Sequence, residues 1–170
     1  MNSPGVLDLA HPNAPGTVQT IGRLLGNGTV NIGTNRSWNV AVGSLDVDQG
    51  LVNGPGSLDL TGAVVLSFTT STVRAPMNIV AAATIPANVT VPATDTLTLL
   101  SGTIDEPITN SGLIRTGGTV TLNGLLTTNT GSVLRVGGAV GSPVLTVANS
   151  FTNNGLIELT STSNANSSMT

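Results

Sequence analysis

The sequence predicts an all-β fold of one class, a single-stranded parallel β-helix (β-solenoid) with about seven coils of roughly 19–25 residues each. The first observation is composition: only 8% of the 170 residues are charged and 2% are aromatic, while 39% are hydrophobic. The second is that the helix formers Glu, Lys and Gln are rare whereas β-branched residues abound, so we expect very little helix. The third is a pair of repeated motifs, Thr-Asn-x-Gly and Gly-x-Φ-x-Φ, where Φ is an aliphatic residue.

The Thr-Asn-x-Gly motif indicates the coil period in the second half of the chain. Its three copies have their glycines at Gly112, Gly131 and Gly155, so the motif recurs about once per coil. About three short apolar runs accompany each copy, and one such coil cannot bury its own apolar face. Stacked coils bury a continuous aliphatic column, for which we predict these inward positions: Leu113, Val120, Leu122, Leu125, Val133, Leu145, Val147, Leu156 and Leu159.

Each coil must turn corners, and the same motif predicts how it does so. Glycine reaches positive φ without steric cost, and asparagine tolerates the left-handed region better than most residues. Asparagines at one corner of successive coils would lie about 4.8 Å apart and could bond through their amides as a ladder. We therefore interpret the motif as a structural turn, with a ligand site as the alternative, at Asn110, Gly112, Asn129, Gly131, Asn153 and Gly155.

The first half of the chain repeats the pattern Gly-x-Φ-x-Φ, which begins at Gly5, Gly28, Gly43 and Gly56. Its period-2 alternation places two apolar side chains inward and the polar side chain between them outward. We predict one solenoid domain over residues 1–160, less regular at 1–33 and at 67–86, followed by a polar tail or linker over residues 161–170.

The charge pattern limits the partners that the chain can have. It contains no lysine, its net charge is −3, and it has neither a basic stripe nor an aromatic platform for nucleotide bases, so we expect no nucleic-acid binding. No apolar run approaches the roughly 20 residues that cross a bilayer, so we expect no membrane insertion. The first residues lack the basic and apolar regions of a signal peptide, and we interpret the chain as a fragment or mature segment.

No catalytic constellation is evident, so we expect neither enzyme activity nor a cofactor. With no cysteine and one histidine, the chain lacks the ligands of a zinc site. Asp46 and Asp48 stand two residues apart and Asp59 repeats the motif position of Asp46, which makes the three candidates for calcium binding or acid–base chemistry. The alternative, which we favour, is an outward polar position on solvated strands. Trp38 is either a core or cap residue or a contact for carbohydrate.

One long run carries a resemblance to a known group of proteins. The segment "TIPANVTVPATDTLTLLSGTIDEPITNSGLIRTGGTVTLNGLLTTNTGSVL" resembles the β-helix repeats of large bacterial surface proteins, including filamentous-haemagglutinin-like exoproteins and autotransporter passengers. The resemblance covers residues 80–160 well and the first half loosely. It rests on Asn-Gly corners and Thr/Val/Leu strands, and it carries no catalytic residues across. It implies a right-handed parallel β-helix, export, and adhesive or scaffolding use.

These observations lead to an expected function. We expect a structural or adhesive β-solenoid segment of an extracellular or cell-surface bacterial protein, with surface glycans or a host or cell-surface receptor as ligands. A terminal coil presents unpaired strand edges, and lysine, the usual edge gatekeeper, is missing, so we also expect copies to stack end to end into a fibre or rod. Alternatively, the N-terminal stretch around Pro12 and Pro15 folds back and caps the first coil, so that copies do not stack. The other candidate functions are a carbohydrate-active or carbohydrate-binding β-helix and a phage tail-fibre-type solenoid.

Overall fold

The structure is a computed structural model. It describes residues 6–8, 23–24, 28–41, 43–47, 50–62, 64–70, 72–79, 85, 88–137, 142–160 and 166–170. Over these ranges the chain is all-β, without helix, and its parallel strands stack as a β-solenoid of about six turns, against about seven predicted. The predicted fold class is confirmed. The chain divides into two compact units, residues 1–86 and 87–170, where the sequence predicts one domain over 1–160.

The first unit contains nine described strands that build three parallel faces. The first face is β1-β3-β6, on the second face β4 pairs with β7 and β7 with β9, and the third face is β2-β5-β8. Consecutive strands therefore turn from face to face and return to the first after one coil. The strands are β1 (Val6–Asp8), β2 (Arg23–Leu24), β3 (Thr29–Asn31), β4 (Ser37–Val40), β5 (Gly43–Asp46), β6 (Leu51–Asn53), β7 (Ser57–Leu60), β8 (Val64–Ser67) and β9 (Met77–Ile79).

The second unit repeats this plan over four coils. Its first face is β10-β12-β15-β18, its second face joins the start of β11 to β13, β16 and β19, and its third face joins the end of β11 to β14, β17 and β20. Gly102, with φ 111°, lies inside β11 where that strand passes from the second face to the third. The strands are β10 (Val89–Val91), β11 (Thr96–Ile104), β12 (Ile108–Asn110), β13 (Leu113–Thr116), β14 (Thr119–Leu122), β15 (Leu126–Thr128), β16 (Val133–Val136), β17 (Val144–Val147), β18 (Phe151–Asn153), β19 (Leu156–Leu159) and β20 (Ser168–Met169).

Coil length varies more than the glycine spacing predicts. The shorter coils include the one in which Thr96 pairs with Leu113, whereas a much longer stretch of chain separates Leu126 from its partner Phe151. The strands stay in register because the extra residues lie in the corners between them.

The core of each unit is an aliphatic column, and in the first unit the predicted alternation is confirmed. The two apolar residues of each Gly-x-Φ-x-Φ copy are buried in the three copies that begin at Gly28, Gly43 and Gly56; the side chains of the copy at Gly5 lie outside the described residues. These buried residues are Val30, Ile32, Leu45, Val47, Leu58 and Leu60.

In the second unit the predicted inward positions are partly wrong. Val120, Leu122 and Leu145 are buried as predicted, and Val147 is half-buried. The residue that follows a corner, however, points outward, so the inward set on the second face starts one residue later. Leu113 and Val133 are only half-buried there, while Ile114 and Leu134, the residues next to them, are completely buried.

Three predicted core leucines are exposed: Leu125, Leu156 and Leu159, at 51%, 53% and 55% of their surface. Leu125 lies in the corner before β15, and Leu156 follows a corner and points outward. Leu159 has a different cause, because it pairs with the inward, fully buried Val136 but belongs to the outermost described coil.

Two segments are more regular than the sequence predicts. In the segment 67–86, Val73 forms a parallel bridge to Val52 and β9 pairs with β7, while residues 71, 80–84 and 86 lie outside the described ranges. In the predicted polar tail, Ser168 and Met169 form β20 and extend the third face by pairing with β17. Residues 161–165 of that tail are not described.

Candidate functional site

The corner between the first and second faces takes a long form in three of the described coils, at residues 33–36, 92–95 and 129–132. In this long corner a four-residue turn is closed by a hydrogen bond from the backbone N–H of its fourth residue to the carbonyl oxygen of its first. The three closing bonds are Arg36 to Gly33 (3.2 Å), Asp95 to Pro92 (3.0 Å) and Ser132 to Asn129 (3.1 Å).

The coil stacked on each long corner has a short corner whose glycine lies on the turn. A β-carbon on this glycine would come too close to the carbonyl oxygens of the first and fourth turn residues, so only glycine allows the two coils to approach here. We call these residues nested glycines; they are Gly56, Gly112 and Gly155. The residue after each glycine donates its backbone N–H to the carbonyl oxygen of the fourth turn residue. These bonds are Ser57 to Arg36 (3.0 Å), Leu113 to Asp95 (3.1 Å) and Leu156 to Ser132 (2.9 Å).

The three Thr-Asn-x-Gly copies therefore do not use their glycines in one way. Gly131 has φ 83° and nothing within 4 Å of a built β-carbon, so it serves the predicted positive-φ role. Asn35, with φ 56°, occupies the same third position in the turn of residues 33–36. Gly112 and Gly155 lie outside the positive-φ region and are required by the close approach of the preceding coil.

The predicted asparagine ladder is also different. Strand pairing aligns Asn110 with Thr128 and Thr128 with Asn153, because the long corner shifts the middle copy of the motif by one residue. Asn110 accepts a bond from the backbone of Gly112 (3.1 Å) and donates to the carbonyl oxygen of Val133 in the next coil (2.9 Å). Thr128 donates its hydroxyl to the side-chain oxygen of Asn153 (2.6 Å).

The remaining asparagine of the motif lies outside this column. Asn129 begins the long-corner turn, and its side-chain amide donates to the hydroxyl of Ser111 in the preceding coil (2.9 Å). All six predicted turn residues thus lie at coil corners. The side-chain column that joins the coils, however, consists of Asn110, Thr128 and Asn153. Sequence analysis missed Thr128 as a member. The available signal was strand spacing, since the interval from Leu126 to Val133 is longer than the interval between their partners, Ile108 and Leu113.

Threonine columns cover two faces of the second unit. On the first face the central residue of each strand is threonine in all four coils: Thr90, Thr109, Thr127 and Thr152. On the third face Thr103, Thr121 and Thr146 are paired in sequence, and the hydroxyls of Thr146 and Thr170 lie 3.4 Å apart. Both columns are uncharged rows of hydroxyl donors and acceptors, which suits hydrogen bonding to a polar ligand.

The second face of the same unit carries one apolar and one charged column. Its apolar column consists of Leu113, Val133 and Leu156, which are aligned with Thr96 of the preceding coil. Its charged column contains Arg115, Arg135 and Glu158, and Arg135 Nε lies 2.6 Å from Glu158 Oε2. Since the two side chains are 38% and 29% exposed, this ion pair contributes at most about 1 kcal/mol.

The three candidate aspartates are not brought into one column by the described structure. Asp59 lies on the second face, where its Oδ1 accepts a 2.7 Å bond from the side-chain amide of Asn78. Asp46 lies on the third face, where its backbone pairs with Ser67, so it does not share a position with Asp59. The side chain of Asp46 and all of Asp48 lie outside the described residues. Within the described ranges no three His, Cys, Asp or Glu residues gather as a possible metal site.

Trp38 is a core residue. Its side chain is completely buried on β4, beside Leu58 of the next coil, and its indole N–H has no hydrogen-bond partner among the described residues. Of the two alternatives for Trp38, a core residue or a carbohydrate contact, the complete burial of the indole supports the core residue.

Comparisons with protein-family models, with curated proteins and with solved structures find no match to this chain. Across the part of the chain that the structure describes, no helix has the length and apolar character of a membrane span.

Proposed function

We propose that this chain is a structural or adhesive β-solenoid segment of an extracellular bacterial protein. The observation that carries the proposal is that the outward columns stay in register across coils of unequal length. Because the coils differ in length only at their corners, further coils can stack while each face keeps the same kind of outward side chain in register. The resemblance to bacterial surface repeats supports the extracellular assignment.

The adhesive surface consists of the two threonine columns of the second unit. They offer hydroxyl groups at strand spacing, about 4.8 Å apart, without a charge in either column. A polar, uncharged ligand such as a surface glycan or a glycosylated receptor fits this pattern better than an ionic one.

Isosteric removal of the hydroxyls tests the adhesive surface. Beads coated with the chain should bind glycan-bearing cells, and a variant with Thr103→Val, Thr121→Val and Thr146→Val should bind less because three hydroxyl groups of the third-face column are lost. A second variant replaces the first-face residues Thr109, Thr127 and Thr152 with valine, and comparison of the two variants shows which column contacts the ligand. If both variants bind as well as the original chain, the threonine columns are not the adhesive surface.

The extracellular assignment has its own test. Protease added to intact cells that carry the natural gene should remove the segment detected by an antibody. Loss of the signal only after lysis would contradict it.

A second candidate, the tail-fibre-type solenoid, is favoured by the outward apolar column of the second face. Leu113, Val133 and Leu156 could pack laterally against two other copies. This candidate predicts a trimer of fixed size, whereas end-to-end stacking predicts a continuous series of sizes.

A further inference from the structure

Two arginines of the second unit lie side by side on its second face. Arg115 on β13 and Arg135 on β16 are aligned by strand pairing, and each lies between two residues that are completely buried, so both point outward. The two strands run about 4.8 Å apart. Like charges directly opposite each other on paired strands are destabilising, so the stability of the sheet does not account for this pair.

One of the two arginines is neutralised and the other is not. Arg135 donates from Nε to Glu158 Oε2 at 2.6 Å, which leaves its two Nη groups without a partner among the described residues. Arg115 is exposed and makes no hydrogen bond or ion pair with the described residues. Its aligned neighbour in the preceding coil is the uncharged Thr98. The column therefore holds one positive charge in excess, on a chain whose net charge is −3.

An apolar column runs beside this charged column. Its residues, Leu113, Val133 and Leu156, each precede a member of the charged column by two positions, and residues two apart share a side of the strand. Leu156 is 53% exposed and the other two are half-buried. In the preceding coil the same two positions are Thr96 and Thr98. The face thus combines unpaired guanidinium donors, an apolar strip and two hydroxyls within neighbouring coils.

These three kinds of group match one class of ligand, a sugar that carries a carboxylate. The carboxylate accepts two parallel N–H bonds from a guanidinium. The C–H groups of the sugar ring pack on aliphatic side chains, and its hydroxyls bond to threonine. An inorganic anion would leave the apolar column uncovered, whereas a neutral sugar would leave the charge of Arg115 unpaired.

We propose that the second face of the second unit binds an acidic sugar, whose carboxylate is held by Arg115 and the Nη groups of Arg135 while its ring lies on Leu113 and Val133. The proposal rests on the adhesive function proposed above. It deepens that function by naming the class of sugar and a site separate from the threonine columns.

Immobilised oligosaccharides test the class of ligand. Oligomers of galacturonic, glucuronic and sialic acid are presented beside their methyl esters, which keep the sugar ring and remove the charge. The purified chain should bind at least one of the acids about tenfold or more tighter than its ester. Added salt should weaken that binding, because an exposed ion pair is screened.

Replacement of the unpaired arginine tests the site. Arg115→Gln breaks no contact among the described residues, so it should weaken binding of the acid about tenfold or more and leave the melting temperature unchanged. Arg115→Lys keeps the charge but loses the bidentate geometry, and it should give a smaller loss. Arg74→Gln is the matched control, because Arg74 is an equally charged, exposed arginine of the first unit, and its replacement should leave binding unchanged.

Removal of the competing carboxylate gives a prediction of opposite sign. Glu158→Gln frees the whole guanidinium of Arg135 for the ligand, so it should strengthen binding of the acid several-fold. If the ion pair only held the face in shape, the same variant would instead weaken binding. Far-ultraviolet circular dichroism establishes that each variant remains folded.

Three results would overturn the proposal: no acid bound more tightly than its ester, equal effects of Arg115→Gln and Arg74→Gln, or a defined oligomer that Leu156→Arg disperses, since copies of the chain would then cover this face. The valine variants of the threonine columns keep both arginines, so they should bind the acidic sugar as the original chain does. The oligosaccharide measurements and the bead and protease tests can therefore fail separately.

Discussion

The side-chain amide of Asn110 donates a 2.9 Å hydrogen bond to the carbonyl oxygen of Val133 in the following coil, from a position with no exposed surface. Its side-chain oxygen accepts from the backbone of Gly112 at the same time, so one residue both shapes a corner and joins two coils.

Replacement of Asn110 with alanine should therefore lower the free energy of unfolding by about 1–3 kcal/mol, since buried partners lose their hydrogen bonds. Asn153→Ala is the comparison variant: its amide bonds within its own corner and its oxygen accepts from the Thr128 hydroxyl, but the side chain is exposed, so water can replace it and the variant should cost no more than about 1 kcal/mol. Urea unfolding of both variants measures the difference. Equal costs would contradict the role of Asn110 between coils.

The two kinds of corner glycine should respond differently to substitution. Gly131→Asn should be nearly neutral, because the position is open and needs only positive φ, which Asn35 adopts in the corresponding turn. Gly112→Asn should cost about 1–3 kcal/mol or more, since its side chain would displace the backbone of the Pro92–Asp95 turn. Thermal unfolding gives the ranking, and a larger loss for Gly131→Asn than for Gly112→Asn would contradict the nesting of glycines on turns.

Trp38 offers a direct optical test of the core, because it is the only tryptophan in the chain. Its fluorescence should be blue-shifted and protected from iodide, and soluble sugars should not change it, because the indole is fully buried. Trp38→Ala should destabilise the fold by about 3–5 kcal/mol. Trp38→Phe should cost less, since it removes an indole N–H that lacks a partner among the described residues. Emission typical of an exposed indole would be inconsistent with this placement.

The aspartates provide a test of the remaining metal hypothesis. A variant with Asp46→Asn, Asp48→Asn and Asp59→Asn should unfold within a few degrees of the original chain, and millimolar calcium should shift neither melting temperature. An amide at position 59 can still bond to Asn78, which explains the small expected effect. A calcium-dependent rise of the melting temperature in the original chain, lost in the triple variant, would instead establish a metal site.

The strands could be predicted from the sequence because their alternation is local. Val30 and Ile32 are inward since residues two apart share a face of any strand, wherever the strand packs. The same rule would have found Trp38, which shares a face with the buried Val40. The polar residues on either side of Trp38 obscured this, although they belong to the opposite face of the strand.

The corners could not be predicted because their geometry depends on the neighbouring coil. The role of Gly112 is set by the Pro92–Asp95 turn of the preceding coil, and the Thr-Asn-x-Gly motif itself does not distinguish Gly112 from Gly131; only the extra residue before β16 does. The alignment of Asn110 with Thr128 follows from corner length. Superposing the repeated motif would instead pair Asn110 with Asn129, a register that is wrong by one residue. Exposure of Leu159 likewise depends on whether another coil covers it.

The central claim is that the coils stack in parallel with a register fixed by corner length, and engineered disulfides test it most directly in a chain that has no cysteine. Thr109 and Thr127 are paired in adjacent coils, so their Cα atoms should lie about 4.8 Å apart, inside the roughly 4.4–6.8 Å that a disulfide spans. The double variant Thr109→Cys/Thr127→Cys should oxidise readily. The variant Thr109→Cys/Thr128→Cys should not, because the Thr128 side chain is buried and points to the opposite side of the strand. Rapid oxidation of the second pair, or of neither, would contradict this register.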